Sequence, residues 1–325
     1  MPKVSICVPI YNSEQYIERC AHSLFRQTLE DIEYIFVNDC TPDKSIDILR
    51  HIASQYPKRT NQIKIVNHHT NKGIAAVRNT CLQNATGEYI IYCDSDDWVE
   101  PDIYQCMYNK AIETQADIVW CKYDTTLDPI VLFSPKTGET YTNIDYIKRI
   151  CLGQFHGATW NKLIKRNILI DNSLHFVEGC NMMEDESMIL RILCFAHNIQ
   201  YVDKILYHYV QHKNSITRHP KYSDIITNIT EASKYILQLA SIYPEVIRYW
   251  YWYEQRHKLT MIARNEIALD NFKALWPEST KLALIITNPT LRLHNKIIYI
   301  SLCLGSTAIL SVKQKITNKI KSMKH

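Results

Sequence analysis

Three carboxylates stand within four residues at Asp94-Ser95-Asp96-Asp97, directly after the apolar run 89–93. Like charges held that close raise one another's free energy unless a cation or hydrogen-bond donors compensate. Mg²⁺ or Mn²⁺ is a natural compensation, because these hard ions take oxygen ligands and usually combine one or two carboxylates with substrate phosphates. A capped turn is the plainer role open to an Asp-x-Asp, and the motif alone does not choose. A second acidic group, Glu184-Asp185-Glu186, opens the stretch 184–197. Acids there either stabilise the positive end of a helix dipole or supply a general base. Arg78, in Asn71-Lys72-Gly73-Ile74-Ala75-Ala76-Val77-Arg78-Asn79, has the length to reach a diphosphate from the first turns of a helix, although an arginine so placed often only faces water. Asp39, in Asn38-Asp39-Cys40-Thr41-Pro42-Asp43, can accept a hydrogen bond from a base N–H or a ribose hydroxyl. Equally, Asn38 and Asp39 can build a turn that Asp43 ends as a helix cap.

Each of these groups falls where a strand should end. Short apolar or β-branched runs at 4–10, 32–37, 62–67, 88–93 and 117–123 alternate with longer amphipathic segments at 14–28, 43–56, 73–84 and 101–114. That βαβαβαβαβ order predicts a mostly parallel sheet covered by helices on both faces, an α/β, Rossmann-like class whose ligands sit beyond the carboxyl ends of the strands. Residues 124–142, with Pro129, Pro135 and Gly138, predict a loop or hairpin, and 143–152 a helix. A helix at 184–197 and a strand at 200–210 complete the sheet. Residues 223–288, including Tyr249-Trp250-Tyr251-Trp252-Tyr253, read as helical.

The 325 residues are enough for a large core, and 46% hydrophobic with 22% charged residues excludes a disordered or fibrous chain. Eleven cysteines, with no Cys-x-x-Cys pair, argue for buried thiols in a reducing compartment over a disulfide or zinc framework. Met1-Pro2-Lys3-Val4 runs straight into a strand without a signal-peptide pattern, so the expected location is the cytoplasm. The net charge of +4 is a tail property: eight of the 37 basic residues and none of the 33 acids lie beyond Glu278, leaving residues 1–278 at −4. A nucleic-acid-binding body would need a basic face, so no nucleic-acid partner is expected.

Taken in order, Val4-Ser5-Ile6-Cys7-Val8-Pro9-Ile10-Tyr11-Asn12, Asn38-Asp39, Gly73 with Ala76 to Asn79, Asp94-Ser95-Asp96-Asp97 and Glu184-Asp185 resemble glycosyltransferase family 2. Trp160-Asn161-Lys162-Leu163, Tyr207-His208-Tyr209 and Ser215-Ile216-Thr217 match the wording of its bacterial members that build capsule, exopolysaccharide and lipopolysaccharide. The resemblance implies a GT-A fold over 1–217, followed by a helical region at 218–290 and a basic tail at 291–325. It implies an inverting transfer from a nucleotide diphosphate-sugar, UDP-linked by family frequency, to a hydroxyl of a glycan or lipid-linked glycan. Pro9, Tyr11 and Glu14 would line the nucleotide pocket, and Asp39 would hold the base. Arg78 would sit near the diphosphate, Asp94 and Ser95 would face the ribose or sugar, and Asp96 would ligate Mn²⁺ or Mg²⁺. Asp185 would be the catalytic base, with Asp97, Trp160 and Glu184 as further candidates.

Two departures stand out. Asn38 occupies a place where relatives often carry aspartate, and Val210-Gln211-His212-Lys213 stands where an arginine often follows Tyr-x-Tyr, which makes His212 a candidate phosphate contact. A nucleotidyltransferase would also use a sheet, a metal and acids, but Tyr11-Asn12-Ser13-Glu14 is no glycine-rich phosphate loop. A non-catalytic glycan-binding relative is opposed by the intact acids at 94, 96 and 185. Residues 297–310 are apolar but, at fourteen, fall short of the roughly 20 needed to span a bilayer. The lysines that follow suit an anionic leaflet, so peripheral membrane contact through 291–325 is expected, a packed terminal helix being the alternative.

Overall fold

The computed structural model describes residues 1–125, 141–211, 221–264 and 269–306. Most of the loop expected at 124–142, together with His212, Lys213 and the end of the basic tail, lies outside the described residues. In chain order the strands and helices are β1 (Val4–Ile10), α1 (Ile17–Phe25), β2 (Ile32–Asn38), α2 (Ser45–Ser54), β3 (Ile63–Asn67), α3 (Ile74–Asn84), β4 (Tyr89–Tyr92), β5 (Trp98–Val99), α4 (Ile103–Thr114), β6 (Ile118–Thr125), α5 (Asn143–Cys151), β7 (Lys162–Lys165), α6 (Arg166–Asp171), α7 (Glu184–Leu193) and β8 (Ile199–Tyr209). Five helices follow: α8 (Tyr222–Ala240), α9 (Val246–Ala263), α10 (Leu269–Ala274), α11 (Leu282–Thr287) and α12 (Leu293–Cys303).

The described strands form one eight-stranded sheet in the order β3-β2-β1-β4-β7-β6-β8-β5. Every residue of β1 is buried, Ser5 being its one polar side chain, as expected of an apolar strand covered on both faces. On α1, Ile17, Cys20, Ala21, Leu24 and Phe25 repeat at helical spacing and pack into the core with β1, β2, β4, α2 and α4. Because β1 pairs in parallel with both β2 and β4, the chain reverses its direction of progress across the sheet at β1. The loops that leave β1, β2 and β4 therefore open onto one crevice.

Two strands escape the sequence pattern. β7 runs antiparallel between β4 and β6, and the two-residue β5 pairs antiparallel with Tyr207 and His208 of β8. Both are too short to show a period of two. Their effect is large, since β5 clamps the chain just after Asp97 to the far end of β8.

By internal contacts the chain divides into two compact units, Met1–Tyr146 with Phe155–Tyr235, and Ile147–Gln154 with Ile236–His325. The second has its own apolar core, in which Leu259 and Ile262 of α9 meet Phe272, Ile285, Leu291, Ile298, Tyr299 and Leu302. Two of its buried amides are paired: Gln255 Nε2 donates to Ser279 O at 2.8 Å, and Asn288 Nδ2 to Gln255 Oε1 at 2.8 Å.

Gly87, at the entry to β4, packs directly on β1. Its N–H donates to Ser5 Oγ at 2.8 Å and Glu33 Oε1 at 3.0 Å, and a Cβ there would lie 2.6 Å from Ser5 Oγ and 2.7 Å from the Ser5 backbone nitrogen. Gly87→Ala must push β4 from β1 and is expected to cost about 1–3 kcal/mol. An unshifted urea midpoint would show that the strands can part freely.

Candidate active site

The crevice is built first from backbone ties between loops. Asn12 N–H donates to Thr41 Oγ1 at 2.8 Å, Ser13 N–H to Ser45 Oγ at 3.0 Å and Glu14 N–H to Asp43 Oδ2 at 2.9 Å. Glu14 Oε2 accepts in return from Lys44 N–H at 3.1 Å. Asp43 Oδ1 gathers Thr41 Oγ1 and both Ser45 donors. Burial works against the Asp43 charge, but these donors outweigh it and hold the carboxyl below its usual value. The loops after β1 and β2 are thus one assembly, with Pro9 inside β1 and Tyr11 projecting from the rim, 46% exposed.

Asp39 is buried beneath that rim. Oδ1 accepts from Lys72 N–H at 2.9 Å and lies 2.7 Å from His68 Nδ1, while Oδ2 accepts from Gly73 N–H at 2.8 Å. Three of the carboxylate's roughly four acceptor positions are therefore filled by the chain itself. Gly73 immediately precedes α3 at φ +83°, a left-handed conformation that glycine adopts without strain. Asp39 thereby fixes the turn that aims α3.

From α3, Arg78 points inward rather than to water. Its buried guanidinium pairs through Nη1 with Glu184 Oε1 at 2.6 Å and with Asp185 Oδ1, and through Nη2 with Asp94 Oδ1 at 3.3 Å. Burial disfavours its charge, yet Asp185, Glu184 and Asp94 outweigh this and hold the pKa above the ordinary arginine value. For the acids the balance runs the other way. Burial pushes Asp94 up to about 6, Arg78 opposing and Asp96 and Asp185 reinforcing, and pushes Glu184 up to about 7 against the pull of Arg78.

Asp97 and Ser95 hold the acidic turn in place. Buried Asp97 accepts from Tyr207 OH at 2.5 Å and from Val210 N–H at 2.7 Å, and burial raises its carboxyl well above the usual range. Ser95 Oγ lies 2.6 Å from Ser13 Oγ, which links the turn to the loop after β1. Asp96 is partly exposed, and Arg19 Nη2 donates to its main-chain oxygen at 3.0 Å. Among the described residues no group of three His, Cys, Asp or Glu converges as a protein cage for a metal. Mg²⁺ and Mn²⁺ do not require one when substrate phosphates and water complete the shell, and Asp96 with Asp94 in the same turn fits that sparse mode.

Trp160 is core rather than rim, stacked on Tyr207 at 4.4 Å with Tyr123 edge-on at 4.7 Å. The residue before it is the one sequence reasoning missed. Thr159, fully buried, donates Oγ1 to Asp185 Oδ1 at 2.9 Å. Lys162 locks that turn from below, its ammonium bonded to Ala158 O and, at 2.9 Å, to Asn161 Oδ1, and lying 3.9 Å from the centre of the Trp120 ring. Burial lowers Lys162 to about 7, against the attraction of Asp185. The match at 160–163 marked the neighbourhood, but nothing in the sequence marks Thr159.

A mostly parallel sheet with an Asp-x-Asp turn at its switch point and a second acid pair across the crevice defines the GT-A class of nucleotide-sugar-dependent transferases. Residues 5–173 match the family described as Glycosyl transferase family 2, and the chain belongs to that family. It is 38% identical over 226 residues to the "Putative glycosyltransferase EpsH" of Bacillus subtilis (strain 168), covering 67% of this chain and 63% of that protein. It is 32% identical over 216 residues to the "Poly(ribitol-phosphate) beta-glucosyltransferase" of Bacillus spizizenii, covering 64% of this chain and 32% of that protein. The chain thus spans less than two thirds of these relatives. In fold it resembles S. aureus TarS 1-349 in complex with UDP-GlcNAc, with a TM-score of 0.74 at 18% identity over 98% of this chain and 92% of that one. It also resembles the mannosyltransferase PcManGT from Pyrobaculum calidifontis in complex with GDP-Man and Mn²⁺, with a TM-score of 0.56 at 16% identity over 96% of this chain and 87% of that one.

Thr159→Val keeps the shape and removes the donor to Asp185. Without that anchor the carboxylate can turn in the crevice, so kcat should fall about tenfold or more while donor affinity stays near wild type, and Thr159→Ser should restore turnover. Equal kcat for all three proteins would leave Thr159 a packing residue.

Proposed function

We propose that this chain is an inverting glycosyltransferase that moves a sugar from a nucleotide diphosphate-sugar to a hydroxyl of a glycan or lipid-linked glycan in bacterial cell-surface polysaccharide synthesis. The observation that carries this reading is the buried guanidinium of Arg78, which holds the Asp-x-Asp acid Asp94 and the acid pair Glu184 and Asp185 around one point. A UDP donor is supported by the UDP-GlcNAc complex of the structural neighbour TarS. We assign the catalytic domain to 1–217, the helical region to 218–290 and the basic tail to 291–325.

In this reading Asp185 is the general base. Its Oδ1 is held by Arg78 and Thr159, which leaves Oδ2 to accept the proton of the acceptor hydroxyl. As the O–H bond breaks, the acceptor oxygen bonds to the anomeric carbon from the face opposite the diphosphate. The carbon–phosphate-oxygen bond breaks with its electron pair leaving on the nucleoside diphosphate. Asp96 would hold Mn²⁺ or Mg²⁺, which when bound would supply positive charge to the leaving diphosphate. Tyr11, Pro9 and Glu14 shape the nucleotide side of the crevice, and Asp39 acts on the base chiefly by setting the turn at Lys72 and Gly73. Arg78 acts by placing the acids. Glu184 is the rival base, its carboxyl pushed up to about 7 by burial and its side chain more buried than that of Asp185.

No described helix is long and apolar enough to cross a membrane. We assign peripheral contact with the inner face of the cell membrane to 291–325.

A panel of nucleotide sugars with Mn²⁺, scored for release of nucleoside diphosphate, tests class and donor together; no release from any of them would remove the reading. Asp185→Asn is expected to lower kcat by about 10²–10⁴ with donor affinity near wild type, since it removes the base and keeps the shape. Normal turnover in Asp185→Asn with loss in Glu184→Gln would move the base by one residue.

Asp96→Ala is expected to abolish both turnover and its response to Mn²⁺. Full wild-type activity in excess EDTA would falsify the metal role.

A further inference from the structure

Beyond Glu278 the chain presents apolar residues to solvent in a regular way. On α12, Ile298, Tyr299, Ser301 and Leu302 face the core of the helical unit. Leu293, Ile297 and Leu304, spaced by four and seven residues on another face, are 75%, 47% and 79% exposed. α11 repeats the arrangement: Ile285 is buried while Leu282 and Ile286 are each 54% exposed. Lys296 Nζ donates to Ile286 O at 2.5 Å, which brings the end of α11 against α12. Five large apolar side chains exposed on two adjoining helices exceed the scattered exposure of an ordinary surface.

The charge around them has one sign. Residues 279–325 carry eight basic side chains and no acidic one, with Arg292 and Lys296 at the start of α12. Lys281 is paired with Glu278, but no other acid is available in this part of the sequence. An apolar face flanked by cations is what an anionic lipid surface accommodates, apolar side chains entering the acyl boundary while lysine and arginine meet the headgroups.

We propose that the outward faces of α11 and α12 form the membrane-docking surface of this protein and that their partner is an anionic lipid bilayer. The proposal rests on the assignment of 291–325 to membrane contact and deepens it, since the surface begins upstream at Leu282. Depth comes from the apolar stripe; the lysines beyond residue 306 add attraction. Deleting 291–325 is a poor test, because α12 supplies Ile298, Tyr299 and Leu302 to the core.

The experiment is flotation of the full chain with vesicles of phosphatidylcholine alone and of phosphatidylcholine mixed with phosphatidylglycerol. Wild type is expected to float with the mixed vesicles only. Leu293→Asp with Ile297→Asp, both exposed, should keep the thermal midpoint and weaken flotation by roughly tenfold or more. Leu282→Asp with Ile286→Asp should weaken it as well. A protein with glutamine at Lys313, Lys315, Lys319, Lys321 and Lys324 separates the two ideas: its failure to float while both aspartate variants float normally keeps the tail reading and overturns the surface. Equal flotation with both vesicle types overturns the anionic partner. A dimer in sedimentation that the aspartate variants dissociate, without vesicle binding by wild type, makes the face a self-interface and overturns the proposal.

Discussion

Everything at the candidate site depends on one buried cation. Arg78 is the shared partner of acids from two other chain segments, Asp94 after β4 and Glu184 and Asp185 at the start of α7, the latter more than a hundred residues away in sequence. A planar guanidinium with several fixed donors can hold three carboxylates at set directions, where a lysine would offer a rotating point charge. Tyr92 and Phe176 flank it at 5.8 and 5.6 Å, which limits the directions it can take. Remove it, and three carboxylates would share one pocket without compensation.

The rest of the crevice can be understood as the apparatus that aims this residue and its partners. Asp39 fixes the turn at Gly73 and so the start of α3, while Asn181 closes on the same turn from the α7 side, its Oδ1 accepting from Ala75 N–H at 3.4 Å. Asp97 and Tyr207 pin the acidic turn to β8, and Thr159 with Lys162 supports Asp185. Lys162 shows how tightly the packing governs chemistry. Its two hydrogen bonds can be made by a neutral amine as well as by an ammonium, so the lowered pKa leaves that turn intact whichever form is present.

The sequence made the ends of β1, β2 and β4 legible because their strands are predominantly apolar runs, and it made α7 legible because three acids open an amphipathic period. It could not show which way a polar side chain turns. Arg78 reads as able to reach a diphosphate, but its own segment gives no sign of its pairing with Glu184 and Asp185, which are distant in sequence. Asp39 reads in sequence as a contact for a base, and the structure adds what no pattern of residue types records: it accepts from the main-chain N–H groups at 72 and 73 and lies against His68. Thr159 is invisible for the same reason. β5 and β7 were missed because two and four residues carry no period, although β5 secures the acidic turn.

The energetics indicate what the cluster is for. Buried ion pairs are weak evidence for stability, since desolvating the charges costs about as much as their attraction returns, and well-packed apolar residues often serve as well. Here the attraction does not fully prevail: Asp94 and Glu184 remain raised to about 6 and 7 with Arg78 in contact. A fold selected for stability alone would have little reason to gather three acids around one guanidinium at the carboxyl end of its sheet. Acids crowded into a crevice with displaced pKa values are instead the mark of a site whose groups are placed for chemistry. The surrounding structure compensates with hydrogen bonds from Thr159, Tyr207 and the main chain at 210. Those donors are neutral, so they fix the positions of Asp185 and Asp97 without adding a countercharge. The acids are thus held crowded in the crevice by neutral donors.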